Sequence, residues 1–382
     1  MPIDTRYTDE ELSQYGRKLA AEPLLAGASP KIRARQQLSK DIRILNSICR
    51  DYCSIRQAKS NLPLTGEWLV ENNYLIDEHA QVVKKNFPES FYRRLPKMKS
   101  ARFGGLTRIQ AILTNFLEYT DGRCDSNLLA GFLKAYQEIQ PLTLGELWAV
   151  PLLVKVVIIH RLRVIFEEIS REIMPRRQVI IWVKQIAPLI ASLPNTVNLV
   201  LIKIEHLLDL ANPAVLVQLA REFRNSDDSG PYLRWLESRA AAQGLSLENL
   251  VEADKGRQIQ YRVTVGHLLA SLHEMNHIFW EDSFEELSLV ESILSRDPAG
   301  IYPEMDFASR DLFRHKIEKL SRSWKISEQV IAEELLDLAN AETEKADSSF
   351  VSRHIGYYLM GPGVKLLTAA LGKEKPCRKY LE

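Results

Sequence analysis

The chain has 382 residues, with 50 Lys and Arg against 49 Asp and Glu, so no overall field steers it toward nucleic acid or an acidic substrate. At 46% hydrophobic residues it can bury a sizeable core, enough for two domains of ordinary size or one extended helical array. Cys49, Cys53, Cys124 and Cys377 lack the CxxC spacing of zinc and redox sites and read as buried structural thiols of a reducing, cytoplasmic-type compartment.

Apolar residues recur at three and four along almost the whole sequence, and alternating stretches bounded by turn residues are missing. This predicts an all-α fold, a multi-helix array or bundle. An opening helix follows Thr8, with Asp9, Glu10 and Glu11 in its first turn where the helix dipole favours negative charge, and ends near Pro23. The opening residues contain no apolar run of the signal-peptide kind. Further helices are expected over 30–58 and from Thr65 onward. FYRRLPKMKSARFGG then reads as a short helical turn and a loop. Helices over 105–119, 125–138 and 143–171 come next, the last containing Pro151, which should kink it or mark its start. The runs at 150–166 and 179–204 look membrane-like, but Lys155 and His160 interrupt the first, and Lys184, Pro188, Pro194 and Asn195 the second. A span needs about 20 predominantly apolar residues, so both are expected to be buried helices.

RNSDDSGP (224–231) is the most loop-like stretch and suggests two helical subdomains, 1–225 and 231–382. Beyond it the pattern predicts a helix at 231–242, one very long helical stretch from 258 to 295, and helices over 306–322, 326–345 and 346–371. Basic pairs such as Arg93-Arg94 and Arg176-Arg177 read as solvated helix surface or helix ends.

HEMNH at 273–277 spells the HExxH signature, in which two histidines on one helix face bind zinc and the glutamate activates a water. A catalytic zinc needs a third protein ligand, yet His277 is followed by Ile-Phe-Trp-Glu. On a helical wheel Val265, Leu268, Leu269, Leu272, Met275 and Phe279 form an apolar stripe, with His273 and His277 at its edge and Glu274 opposite. The motif therefore reads as coincidental: no metal, no cofactor and no catalytic residue is assigned, and a zinc hydrolase is a remote alternative. No Walker loop, GxGxxG or GxSxG is present.

Three stretches taken together are more specific: GEWLVENNYLIDEHAQVVKKNFPESFYRRLPKMKS (66–100), YTDGRCDSNLLAGFLKAYQEIQPLTLGELWAVPLLVKVVIIHRLR (119–163) and MDFASRDLFRHKIEKLS (305–321). In this order, and with the ending SSFVSRHIGYYLMGPGVKLLTAAL (348–371), the chain resembles the helical region ahead of the glycosyltransferase module in cyclic β-1,2-glucan synthases. His273 then falls where that family tends to have arginine. Asn72-Asn73 replaces an acidic-aromatic step of the family.

The resemblance implies a helical accessory domain without chemistry of its own, at the inner face of a bacterial inner membrane. It would support UDP-glucose-dependent glucan synthesis, with the catalytic and membrane modules of the synthase as partners and β-1,2-glucan as a further one. A stand-alone helical interaction module is the alternative. Candidate contacts with carbohydrate or with a neighbouring module are Glu67, Trp68, Asn72, Tyr74, Tyr92, Arg93, Arg94, Glu146 and Trp148. Arg310, Asp311 and Arg314 are expected to make packing or ion-pair contacts.

Overall fold

A computed structural model describes residues 8–22, 34–58, 62–97, 105–192, 197–224, 230–275, 280–345 and 349–372, with backbone alone at 186–192 and 197–199. Among them the structure is helical throughout, apart from one isolated bridge between Lys97 and Thr107. The first six helices are α1 (Asp9–Ala21), α2 (Ala34–Gln57), α3 (Leu64–Asn86), α4 (Glu89–Tyr92), α5 (Arg108–Tyr119) and α6 (Ser126–Gln137). Their starts follow side-chain chemistry. Thr8 and Glu11 form a reciprocal capping box, and the side chains of Thr107 and Asp125 accept amide hydrogens in the first turns of α5 and α6, satisfying donors that a helix start leaves open.

The central element is α7 (Leu144–Ser192), 49 residues long. Its first half is mostly apolar: Val150, Leu153, Val154, Val156, Ile158, Ile159, Leu162 and Phe166 are all buried, as befits a helix packed against several others. It packs against α2, α3 and α5. Pro151 neither breaks the helix nor marks its start. It sits in the second turn, where its missing amide removes only one interior bond. The membrane-like run at 150–166 is thus the middle of the core, while the run at 179–204 is divided between the end of α7 and α8 (Val197–Leu207). No helix among the described residues is long and apolar enough to cross a membrane.

α9 (Pro213–Arg224) and α10 (Gly230–Ala242), on either side of 225–229, pack together, with Phe223 and Tyr232 rings 4.9 Å apart. With Val179, Trp182 and Ile204 they form a core separate from the main one, closed by Leu247 at the head of α11 (Leu247–Glu274). α11 runs back to the main core, where Val265, Leu268, Leu269, Leu272 and Met275 of the predicted apolar stripe are all buried; Phe279, its last member, lies outside the described residues. The turn between α5 and α6 docks on it: Ser271 donates to the Gly122 carbonyl at 2.9 Å and accepts from the Cys124 amide at 2.8 Å. Gly122 has φ +86°, and an added Cβ would lie 2.7 Å from Leu268, so both backbone sterics and the close approach demand glycine.

Two long helices expected from periodicity are broken. The 258–295 stretch divides into α11, α12 (Trp280–Leu287) and α13 (Leu289–Leu294). Ser288 adopts extended backbone and caps a new helix that starts at Leu289, its side chain accepting the Glu291 amide. The 346–371 stretch becomes a 3-10 turn at Val351–Arg353, α16 (Ile355–Leu359) and α17 (Val364–Ala370), separated by Gly361-Pro362-Gly363. Between these groups lie α14 (Phe307–Trp324) and α15 (Glu328–Thr343).

Candidate functional site

Of the HEMNH segment, only His273 and Glu274 belong to α11. That helix ends at Glu274, with His273 and Glu274 exposed in its last turn, and His277 lies outside the described residues. Among the described residues no group of three or more His, Cys, Asp or Glu side chains is placed to hold a metal ion.

The predicted contact residues fall in two places. On α3, Trp68 packs beside Gly266 of α11, and Asn72 spends its amide on the Trp68 carbonyl at 2.8 Å. Glu67 is half-buried, and Tyr74 is open to solvent at 67% exposure. The others gather near the heads of α5 and α7. Tyr92 is buried and donates to Gln110 at 2.9 Å, and burial pushes its phenol up to about 12. Arg93 reaches Glu89 at 3.8 Å, while Arg94 lies over the Phe91 ring.

Glu146, at 0% exposure, is the third residue of α7 and closes a capping box with Thr143, whose amide and hydroxyl both donate to it at 3.0 Å. Arg108, in the first turn of α5, takes the same carboxylate with two nitrogens, Nε at 2.8 Å. Trp148 stacks between Phe284 and His315, centroids 5.8 and 4.1 Å away, which joins α7, α12 and α14.

The third matching stretch builds a buried ionic knot. Arg314, at 0% exposure, donates to Glu291 at 2.8 Å and to Glu285 at 2.6 Å, with its guanidinium over the Phe284 and Phe307 rings. Glu291 also accepts from Tyr302 at 2.7 Å, and Arg310 reaches Glu285 at 3.0 Å. Asp311 contributes more loosely, at 3.6 Å from Arg314. One turn away, Asp297 accepts from His354 and from the amides of Ile301, Tyr302 and Ile355. Those bonds outweigh burial and hold its carboxyl below the usual range.

Arg176, expected on solvated helix surface or at a helix end, is instead half-buried between Glu172 and Asp254 at 2.9 and 2.6 Å. Asp254, itself buried, also takes Arg221 at 2.8 Å and Arg257 at 2.8 Å. A charge at a helix crossing reads in sequence like any surface charge, because its partner lies 78 residues away.

Beneath these contacts lies a cleft of about 210 Å³ between residues 141–147, 288–290 and 321–329. Its wall joins the PLTLGEL segment of the second matching stretch to the end of the third. Leu142, Leu144, Leu147 and Val290 make it apolar on one side. The heads of α7, α13 and α15 supply the polar side, through the capping oxygens of Thr143, Ser288 and Ser327, each of which accepts a first-turn amide at 3.2 Å.

Glu328, at 8% exposure, turns its Oε2 to the Leu144 amide at 2.8 Å. Burial, helped by the nearby carboxylates of Glu318 and Glu146, pushes its carboxyl up to about 7 against the pull of that amide and of Arg322. A carboxyl so placed is held near neutrality and can accept or donate at physiological pH. Sequence reasoning missed Ser288, Ser327 and Glu328. The S-x-x-E pattern at Ser288–Glu291 was the available signal, a capping box inside an apolar run.

A second buried polar spot lies where α3, α7 and α11 meet. His79 is fully buried, with neither ring nitrogen in hydrogen-bonding geometry. Burial and the Lys155 ammonium hold its imidazole down to about 4, outweighing the Leu272 backbone beside it. Burial likewise lowers Lys155.

No family model matches the chain. The cyclic beta-(1,2)-glucan synthase NdvB of Rhizobium meliloti is 26% identical over 367 residues. This chain is a distant relative of that synthase. The similarity covers 94% of the chain but only 12% of the synthase, so the chain corresponds to a small part of that protein.

Proposed function

We propose that the chain is a non-catalytic helical accessory domain of a cyclic β-1,2-glucan synthase-type glycosyltransferase, supporting UDP-glucose-dependent glucan synthesis. It would work at the inner face of a bacterial inner membrane, beside the catalytic and membrane modules. The observation that carries this reading is the extent of the similarity, which runs through nearly the entire helical array while occupying 12% of the relative.

The charged side chains favour a scaffold. A group that transfers protons needs a face open to its substrate. The buried carboxylates of Asp41, Glu146, Asp254 and Glu291 are each turned instead onto an arginine of another helix. On this reading Glu146, Trp148 and Tyr92 position helices, and Tyr74, Arg93 and Arg94 are left to meet a neighbouring module.

The test is radiolabelled UDP-glucose with the purified chain, which should incorporate no glucose, beside the synthase with its matching segment deleted. That deletion is expected to abolish glucan output while UDP-glucose binding persists. Incorporation by this chain alone would overturn the proposal. Full glucan output after the deletion would instead favour a stand-alone interaction module.

A further inference from the structure

We propose that the cleft between the heads of α7, α13 and α15 is a binding site for one unit of a neutral polyhydroxyl ligand, a single glucose ring that donates a hydroxyl to Glu328. Shape, polarity and charge each narrow the ligand. The cleft's volume of about 210 Å³ falls below the roughly 300–1,000 Å³ of pockets for drug-sized ligands, so it takes one ring and not a chain. One wall is leucine and valine, suited to the C–H face of a pyranose. The opposite wall carries hydroxyls and a carboxyl.

The capping bonds leave this polar wall incomplete. Ser288 and Ser327 use their oxygens as acceptors for the amides of Glu291 and Val330. A hydroxyl also has one hydrogen to donate, and no acceptor for either lies among the described residues. Glu328 accepts the Leu144 amide with Oε2, and Oε1 has no donor among the described residues. Such a wall offers two donors and one acceptor, the complement of neighbouring hydroxyls on a ring, each of which both gives and takes a hydrogen bond.

Charge excludes the common alternatives. No Lys, Arg or His lines the cleft, and the amides of Leu144, Glu146, Glu291 and Val330 at the three helix heads are already taken by Glu328, Thr143, Ser288 and Ser327. A phosphate or carboxylate would therefore gain only the residual helix-dipole field and would meet the repulsion of Glu328. A cation would gain a single carboxylate and no second anionic ligand. The choice of glucose among neutral polyols rests on the accessory-domain reading above; the polyol class rests on the cleft.

The experiment titrates the full chain, methyl-labelled at Leu and Val, with a β-1,2-linked glucose disaccharide, glycerol and glucose 6-phosphate at pH 8. The disaccharide is expected to shift the methyls of Leu144, Leu147 and Val290, whereas glycerol and the phosphate are not. Glu328→Gln, which keeps an acceptor for Leu144 but loses the charge assistance, should bind at least tenfold more weakly. Gln329→Trp at the half-exposed rim should block entry without disturbing a buried group, and the unliganded spectrum of each variant reports whether it is folded.

Absence of any shift at about 20 mM sugar, shifts confined to other methyls, or equal binding by Glu328→Gln would each overturn the cleft proposal. None of these touches the accessory-domain reading. Incorporation from UDP-glucose would sink that reading while leaving the titration to stand. Binding of the phosphate as tightly as the neutral sugar would show the ligand class to be wrong.

Discussion

The two cores of this molecule are held together differently. The smaller one, around Phe223, Tyr232 and Ile204, is apolar packing with its main ionic contact at the edge, where Asp254 gathers Arg176, Arg221 and Arg257. The larger one is threaded with buried polar groups, among them Asp41, His79, Glu146, Lys155, Asp297, Arg314 and Glu328. Apolar packing tolerates repacking when volume is kept, whereas a buried ion fixes both its partner and its geometry, because an unmatched charge is costly to leave. The larger core is therefore the one in which position matters, and the cleft lies there.

Removing one partner of the ionic knot should separate the two cores most sharply. Arg314→Ala leaves Glu291 and Glu285 buried without their cation and is expected to cost about 3–5 kcal/mol. Chemical denaturation should show it, with the smaller core's Trp182 environment lost later than the larger core's; simultaneous loss would mean that the two unfold as one unit.

Titration comes next. His79 sits at about 4 in the fold against 6.5 as its ordinary value, so the unfolded chain binds the extra proton. Stability is intact above about pH 6.5 and falls as pH drops toward 4, by at most about 3 kcal/mol. Glu328 runs the other way, from an ordinary 4.5 to about 7. The folded chain holds that proton more tightly, so stability declines between about pH 4.5 and 7 by a similar upper bound. His79→Phe should flatten the acid side of a stability–pH curve and Glu328→Gln the neutral side. An unchanged curve in either variant would refute the corresponding burial argument.

Glycines allow a finer comparison. Gly122 and Gly244 both have positive φ, but an added Cβ at Gly122 would strike Leu268 at 2.7 Å, while at Gly244 it would meet open space. Gly244→Ala should cost only the left-handed strain of about 1–2 kcal/mol. Gly122→Ala should add overpacking of about 1–3 kcal/mol, readable as a larger drop in Tm. The smallest effect is expected from Arg221→Ala, whose side chain is 40% exposed. Asp254 keeps two other arginines there, so thermal denaturation should register about 1 kcal/mol or less.

Helices were legible where local chemistry declares them. Thr8 caps α1 as its position before three acidic residues suggests, whereas α11 starts after Ser246, eleven residues ahead of the expected 258. The apolar stripe of α11 was also readable, because burial of one helix face has a fixed period. What stayed hidden is non-local. The stop at Met275 has no glycine or proline to announce it. The ties of Arg108 to Glu146 and of Arg176 to Asp254 span 38 and 78 residues. The cleft is assembled from three segments, of which only PLTLGEL and the third matching stretch drew notice, and for resemblance alone. Its acid, Glu328, looks in sequence like any glutamate in a first helical turn.

The length of α7 has a mechanical consequence. At 1.5 Å per residue its 49 residues extend over about 74 Å, with the cleft at one end and the smaller core on the other half. A lever of that reach magnifies: a tilt of about 5° at its head carries the far end through about 6 Å, on the scale of one helical turn.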